Sequence, residues 1–183
     1  MVATNPSSNL KATSISLDDW LLCPIEQTEW VDGQLVTKDH MTLRHGRIQA
    51  RLAYLLKTHL VTNQIGGEVY TDVPCRTGDR GRRPDVAYLT PELLSQLGEV
   101  DVLSQSFPLV VEIVSPTDRA EDVFAKATEY LNTGSSEVWL VLPQSELVII
   151  ATMQEQVICD RQGIVNSPIV LPGFSVSVAE LIA

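Results

Sequence analysis

One stretch constrains the fold more than any other: Phe107-Pro108-Leu109-Val110-Val111-Glu112-Ile113-Val114. A short, almost wholly apolar run rich in branched residues reads as a central strand covered on both faces. Such a strand needs neighbours on either side and helices over the sheet, which places the chain in the α/β class. Glu112 stands inside the run. A carboxylate in a buried strand is costly, or shifts its pKa, unless a partner or a metal satisfies it. Either the strand ends there and Glu112 reaches solvent or a structural arginine, or the residue is kept for chemistry.

The flanking sequence fills in the architecture. Ser16 followed by Asp19 makes a capping-box start for a short helix, LDDWLL, ending before Pro24. EQTEWVDGQLV reads as two extended runs joined by an Asp32-Gly33 hairpin turn. Ile48, Leu52, Leu55, Leu56 and Leu60 recur at helical spacing and predict an amphipathic helix over about 44–60, broken at Gly66-Gly67. EVYTDVPC predicts a strand, TGDRGRR a turn, and PDVAYL a second strand. Thr90 and Pro91 open a short helix. Asp118 with Glu121 predicts a second capping box, starting a helix that runs through Leu131 and stops at Gly134. EVWLVL and ELVIIAT form a strand pair around Pro143, two weaker extended segments follow, and LPGFSVSVAELIA closes in a short helical turn. The sum is a mixed β-sheet core flanked by helices, with an N-terminal hairpin and extra C-terminal strands. The polar opening, MVATNPSSNLKATSIS, does not read as a signal peptide. Residues 1–15 are expected to be a flexible segment and 16–183 a single domain, in keeping with 183 residues. No apolar run approaches the roughly 20 residues that span a bilayer. Cys23, Cys75 and Cys159 are dispersed, as expected for reduced thiols in a cytoplasmic protein.

Two further residues join Glu112. Asp85 follows Pro84 at the start of its strand, where by itself it reads as a turn or cap residue. If the two strands are neighbours, both carboxylates converge at one end of the sheet. Mg²⁺ is commonly held by one or two carboxylates together with water and substrate phosphate. Lys126 lies on the helix after the Glu112 strand, about 10 Å along the axis from Asp118. From there it would place an ammonium over the carboxylates. Its structural alternative is a surface pair with Asp122 or Glu129.

Arg83-Pro84-Asp85-Val86, then Val111-Glu112-Ile113-Val114-Ser115-Pro116-Thr117, then Asp122 through Lys126 to Tyr130, and Glu137-Val138-Trp139-Leu140-Val141 resemble the Uma-two family of restriction endonucleases, within the PD-(D/E)XK nuclease superfamily. Glu29 to Gly33, His45 at the start of the long helix, and Leu171-Pro172-Gly173-Phe174 match as well, so the resemblance covers roughly 16–183. It implies a restriction-endonuclease-like fold with Asp85 and Glu112 as ligands of Mg²⁺ or Mn²⁺, hydrolysing phosphodiester bonds, most simply of DNA. The superfamily's lysine normally stands two residues after the second acid, where this chain has Val114. In this family it is displaced onto the following helix, and Lys126 occupies that place. Glu29 and His45 match family positions near the same end of the sheet and are carried as auxiliaries, although His45 reads equally well as a plain helix-start residue.

Charge bears on the partner. The chain has a net charge of −10, which argues against a general nucleic-acid binder. Between Arg44 and Arg83, however, eight Lys and Arg face three acids, a local balance of +5, leaving −15 elsewhere. That stretch is either a solvated helix face with an Arg-rich loop, or a local phosphate-binding surface in which Arg80, Arg82 and Arg83 dock the nucleic acid. Two other functions fit the same motifs: a catalytically inactive binding or assembly module on the nuclease fold, and a metal-dependent hydrolase of RNA or nucleotides. No serine-hydrolase elbow, phosphate loop, dinucleotide fingerprint or zinc-ligand spacing is visible. A homodimer is expected for double-strand cleavage. The apolar strands around Trp139 and Ile149-Ile150 are either its interface or plain core.

Overall fold

The structure, a computed structural model, describes residues 15–38, 42–98 and 100–183. The flexible segment expected at the N-terminus therefore lies, Ile15 excepted, outside the described residues.

The chain opens with helix α1 (Leu17–Leu22), whose N-terminus carries the expected capping box of Ser16 and Asp19. Strands β1 (Thr28–Val31) and β2 (Gln34–Thr37) form the N-terminal hairpin. Asp32 and Gly33 both take positive φ, 51° and 87°, the conformation that a two-residue Asp-Gly hairpin turn demands. Helix α2 (Leu43–Asn63) is longer than its apolar periodicity suggested. Its start is fixed by the Thr42 hydroxyl accepting from the His45 N–H, and its end by Gln64 in the left-handed region.

The segment EVYTDVPC is not one strand. Asp72, at φ 54°, breaks it into β3 (Glu68–Thr71) and β4 (Cys75–Thr77), which join different sheets. The Arg-rich stretch read as a turn is largely a strand: β5 (Arg80–Arg82) pairs with β4 and with β1, and only Gly78 and Asp79 turn. Gly81 is required there, because the buried Trp20 ring stands 2.3 Å from where a Cβ would be. The order in this first sheet is β2-β1-β5-β4.

The main sheet has six strands. After β6 (Val86–Leu89) and the short helix α3 (Pro91–Leu97) comes β7 (Leu109–Ile113), then helix α4 (Ala120–Asn132) and β8 (Glu137–Leu142). Strands β9 (Leu147–Ala151) and β10 (Gln156–Cys159) complete the order β10-β9-β8-β7-β6-β3. Only β7 and β8 pair in parallel, and α4 is the crossover between them. A small ribbon of β11 (Ile164–Asn166) and β12 (Ser175–Ser177) and a terminal helix α5 (Val178–Ile182) follow.

Strand β7, the core of the apolar run around Glu112, lies in the middle of this sheet, buried on both faces. Leu109, Val111 and Ile113 point into a core with Ile48, Leu52, Leu56 and Leu60 of α2. Val110 points the opposite way, into a second core with Ala127 and Tyr130 of α4. Period-two alternation puts Glu112 on this α4 side. Trp139, Ile149 and Ile150 belong to the two cores. Helix α4 departs from expectation at its start: Arg119 is the N-cap and makes no side-chain cap bond. Asp118 instead accepts the Ser115 N–H at 2.7 Å, so its carboxylate serves the preceding loop. No helix among the described residues is long and apolar enough to cross a membrane.

Candidate active site

Strands β6 and β7 run antiparallel with Val86 opposite Val111 and Ala87 opposite Val110. One residue further on, that register brings Asp85, just before β6, level with Glu112. Asp85 Oδ2 closes this end of the ladder by accepting the Ile113 N–H at 2.7 Å. Both carboxylates line a cleft of about 900 Å³ together with Glu29, Lys38, Arg44, His45, Arg83 and Lys126.

Lys126 reaches this end of the sheet from α4. Its ammonium lies 3.0 Å from Glu112 Oε1 and 2.8 Å from Glu29 Oε1, and pairs with neither Asp122 nor Glu129. Tyr130, one turn later on the same helix face, donates its hydroxyl to the same Glu112 oxygen at 2.7 Å. Lys126 and Tyr130 thus both engage Oε1 and leave Oε2 aside. Around Asp85, Lys38 Nζ lies 2.7 Å and His45 Nε2 3.4 Å from Oδ1. The three residues assigned from the sequence meet at one end of the sheet, and Glu29 and His45 join them.

The electrostatics divide the two acids. Burial raises the pKa of Glu112, and the neighbouring Asp85 charge adds to that against the pull of Lys126. Burial also opposes the charge on Asp85, but the hydrogen bond from His45 and the charge of Lys38 hold its carboxyl well below the usual range. Glu29 is buried too, yet Lys126 and Arg82 hold it at about 2. Despite burial, Glu112 and Glu29 hold the Lys126 ammonium protonated far above neutral pH. The hydrogen bond to Asp85 raises the pKa of His45.

The arginines separate. Arg82 is only 9% exposed and turns inward, donating to Glu29 at 2.9 Å and to Glu129 at 2.6 Å. Arg80 bridges Asp32 and Glu129 at 2.7 and 2.6 Å. Neither guanidinium forms an open basic patch. Arg83 alone of the three lines the cleft, its Nη1 held by the Asp72 carbonyl at 2.6 Å. Lys38, Asp72 and Gln49, which surround Asp85, carry no signal of that role in the sequence. Tyr130 also escapes a sequence-based assignment, although an aromatic hydroxyl one helical turn from Lys126 was a usable signal.

The donor set suits a hard cation. Among the described residues no three His, Cys, Asp or Glu side chains form a ready-made metal cage. The acids come as an oxygen-donor pair, with one oxygen of Glu112 engaged by neither Lys126 nor Tyr130. A carboxylate pair of this kind could hold an ion that keeps waters and takes substrate oxygens.

A family model described as "Uma2: Putative restriction endonuclease" matches residues 17–179. A crystal structure from Anabaena variabilis ATCC 29413, described as "a putative nuclease belonging to DUF820", superposes with a TM-score of 0.81. It is 22% identical, with 92% of this chain and 97% of that one covered. No curated protein matches.

Proposed function

Because the chain belongs to the Uma2 restriction-endonuclease family, we propose that it is a metal-dependent endonuclease that hydrolyses phosphodiester bonds of DNA. Asp85 and Glu112 would hold Mg²⁺ or Mn²⁺, and Lys126 is the catalytic lysine. The observation that carries the reading is the convergence of these two carboxylates, Glu112 on β7 and Asp85 just before β6, in one cleft, with the Lys126 ammonium 3.0 Å from Glu112.

The bound ion would supply Lewis acidity at the scissile phosphate and make water a better nucleophile. The chain's own residues do the rest. Asp85 stays ionised and is oriented by the Ile113 N–H. Tyr130 and Lys126 fix one oxygen of Glu112 and leave the other turned to its task. Lys126, its ammonium held between Glu112 and Glu29, offsets charge developing on the phosphorane-like transition state. Arg44, His45 and Arg83 line the cleft, where they would meet the phosphodiester backbone. Arg80 and Arg82 hold Glu29 and Glu129 in place behind Lys126. A homodimer would bring two such clefts to the two strands of a duplex.

Cleavage of labelled duplex DNA with Mn²⁺ tests the proposal. The wild-type protein should cut, and folded Asp85→Asn and Glu112→Gln variants should not. Undiminished cleavage by either variant rejects the assignment of that acid. A labelled RNA and a nucleotide in the same assay separate a DNA nuclease from a hydrolase of those substrates.

One observation favours a second reading, a binding module that has kept the fold without catalysis. Each carboxylate already has an ammonium partner, Lys38 on Asp85 and Lys126 on Glu112. That reading predicts no Mn²⁺ binding in calorimetry and no cleavage of any substrate.

A further inference from the structure

We propose that Lys38 is a resident counter-ion of the cleft which competes with the divalent ion for Asp85, so that metal affinity is set by an ion pair inside the protein. This rests on the reading of Asp85 as a metal ligand.

Lys38 directly follows β2, and its backbone N–H is pinned to the Gln27 carbonyl at 2.8 Å. From this anchor on the four-stranded sheet its side chain crosses to the edge of the six-stranded sheet. There the ammonium meets Asp85 Oδ1 at 2.7 Å, Asp72 Oδ1 at 2.8 Å and the Arg83 carbonyl at 2.9 Å. An ammonium has three N–H donors and no acceptor. All three are used, each on an oxygen, and two of those oxygens are carboxylate. This is the donor chemistry that Mg²⁺, Mn²⁺ and Ca²⁺ select.

The cradle is held independently of Lys38. Asp72 occupies the left-handed region at φ 54°, and its backbone carbonyl takes the Arg83 guanidinium at 2.6 Å. Its second carboxylate oxygen takes Gln49 Nε2 at 2.6 Å, and the same amide donates to the Asp85 carbonyl at 2.9 Å. Asp85 is fixed in turn by the Ile113 N–H. Neither acid therefore depends on Lys38 for its position. What Lys38 adds is a positive charge on the oxygen that a divalent ion would approach. Two cations sharing one carboxylate repel across a few ångströms of partly desolvated space. The ion must displace the ammonium or bind against it.

Mn²⁺ titration calorimetry on the full chain, without nucleic acid, tests this in the wild type and in Lys38→Met, Lys38→Gln, Lys38→Arg and Asp85→Asn. Lys38→Met and Lys38→Gln should bind Mn²⁺ at least ~10-fold more tightly than wild type, while Lys38→Arg stays close to it. A lysine that merely braces the hairpin would give equal or weaker binding in the neutral variants. That result, with Asp85→Asn still weaker than wild type, overturns the proposal and leaves Asp85 as a ligand. If Asp85→Asn binds as the wild type does, the ligand assignment itself fails and the proposal goes with it. Should a neutral variant lose stability, the Mn²⁺-induced rise in its Tm decides the question in the same way. A rise larger than that of the wild type supports competition, and an equal or smaller one rejects it.

Discussion

Lys126 on α4 and Glu29 on β1 lie 97 residues apart in sequence and 2.8 Å apart in space. The contact ties the N-terminal hairpin sheet to the helix that covers the main sheet, and its other side is the Arg82 guanidinium, 2.9 Å from Glu29. Glu29 is thus a buried anion between two cations. Taking away such an anion leaves Lys126 with Glu112 alone and Arg82 with Glu129 alone, and breaking buried pairs of this kind costs about 3 kcal/mol or more. Glu29→Ala should be destabilised by that order, measured by chemical denaturation. Among variants that remain folded, Glu29→Gln should lose cleavage activity with its Mn²⁺ affinity little changed, because Glu29 orients Lys126 and is not itself a proposed ligand.

The same residue gives the stability a pH signature. Folded Glu29 titrates at about 2, against an ordinary value of 4.5. A carboxylate with a depressed pKa binds its proton more weakly when folded, so the unfolded state takes up protons first as the pH falls. Its contribution is complete above about 4.5 and is lost on descending toward 2. The expected size is roughly 3 kcal/mol at one pKa unit per about 1.4 kcal/mol. Denaturation midpoints between about pH 6 and pH 2.5 should fall more steeply for the wild type than for Glu29→Gln. Parallel curves would remove Glu29 from the acid response.

Much of this arrangement is legible in the sequence, for reasons that are local. The run around Val111 can only be a central strand, so a carboxylate within it stands out. Asp-Gly names its own hairpin, whereas the pairing of β6 with β7, which sets Asp85 beside Glu112, is only a condition in the sequence and becomes an observation in the structure. What stays hidden depends on groups that sequence distance separates. Lys38 looks like any lysine at a hairpin end until Asp72, bent into the left-handed region, and Asp85 close around it. The Arg-rich loop reads as an open basic patch because its counter-charges, Glu129 on α4 and Asp32 in the hairpin turn, are 49 and 48 residues away from Arg80. Composition registers the bases of this loop, while tertiary structure shows that two of them are already neutralised.

Glu112 and Asp85 should respond oppositely to loss of charge. Burial disfavours ionised Glu112, and with the neighbouring Asp85 charge it outweighs the pull of Lys126. Its neutral isostere therefore costs little, and Glu112→Gln is expected to have a Tm equal to or above that of the wild type while losing cleavage. Asp85 is stabilised as an anion by Lys38, His45 and the Ile113 N–H, so Asp85→Asn should lower the Tm. Differential scanning calorimetry of the two variants without metal checks the contrast. A lower Tm for Glu112→Gln than for Asp85→Asn would contradict it.

Tyr130 tests whether the Glu112 carboxylate needs orienting. The ring is fully buried and its hydroxyl has Glu112 Oε1 as its partner at 2.7 Å. Tyr130→Phe keeps the ring in the α4 core and removes only the donor, so the expected loss of stability is about 1–3 kcal/mol. Lys126 alone then holds that oxygen, and Glu112 gains freedom to rotate. Mn²⁺ affinity should fall several-fold and cleavage with it, while saturating Mn²⁺ restores part of the rate. Wild-type Mn²⁺ affinity in a Tyr130→Phe protein would show that the hydroxyl serves the core alone.

A buried acid outside the cleft supplies the control. Glu137 opens β8 with no exposed surface, and its carboxylate receives the N–H groups of Ile169 and Val170 at 2.6 and 2.9 Å. The Ser167 hydroxyl at 2.8 Å and Trp139 Nε1 at 3.2 Å complete the set. One side chain thus ties the loop before β12 to the central sheet. Glu137→Ala leaves these donors without their acceptor, which at about 1–3 kcal/mol for each unsatisfied buried group makes it the most destabilising of these substitutions. Yet none of these contacts touches the cleft. At a temperature where the variant is still folded, its Mn²⁺ affinity and cleavage rate should match the wild type, whereas Glu29→Gln and Tyr130→Phe should each depart from it. A Glu137→Ala protein that loses metal binding while its folded fraction is intact would mean that the sheet transmits strain from β8 to β7, and that the effects at Glu29 and Tyr130 are not specific to the site.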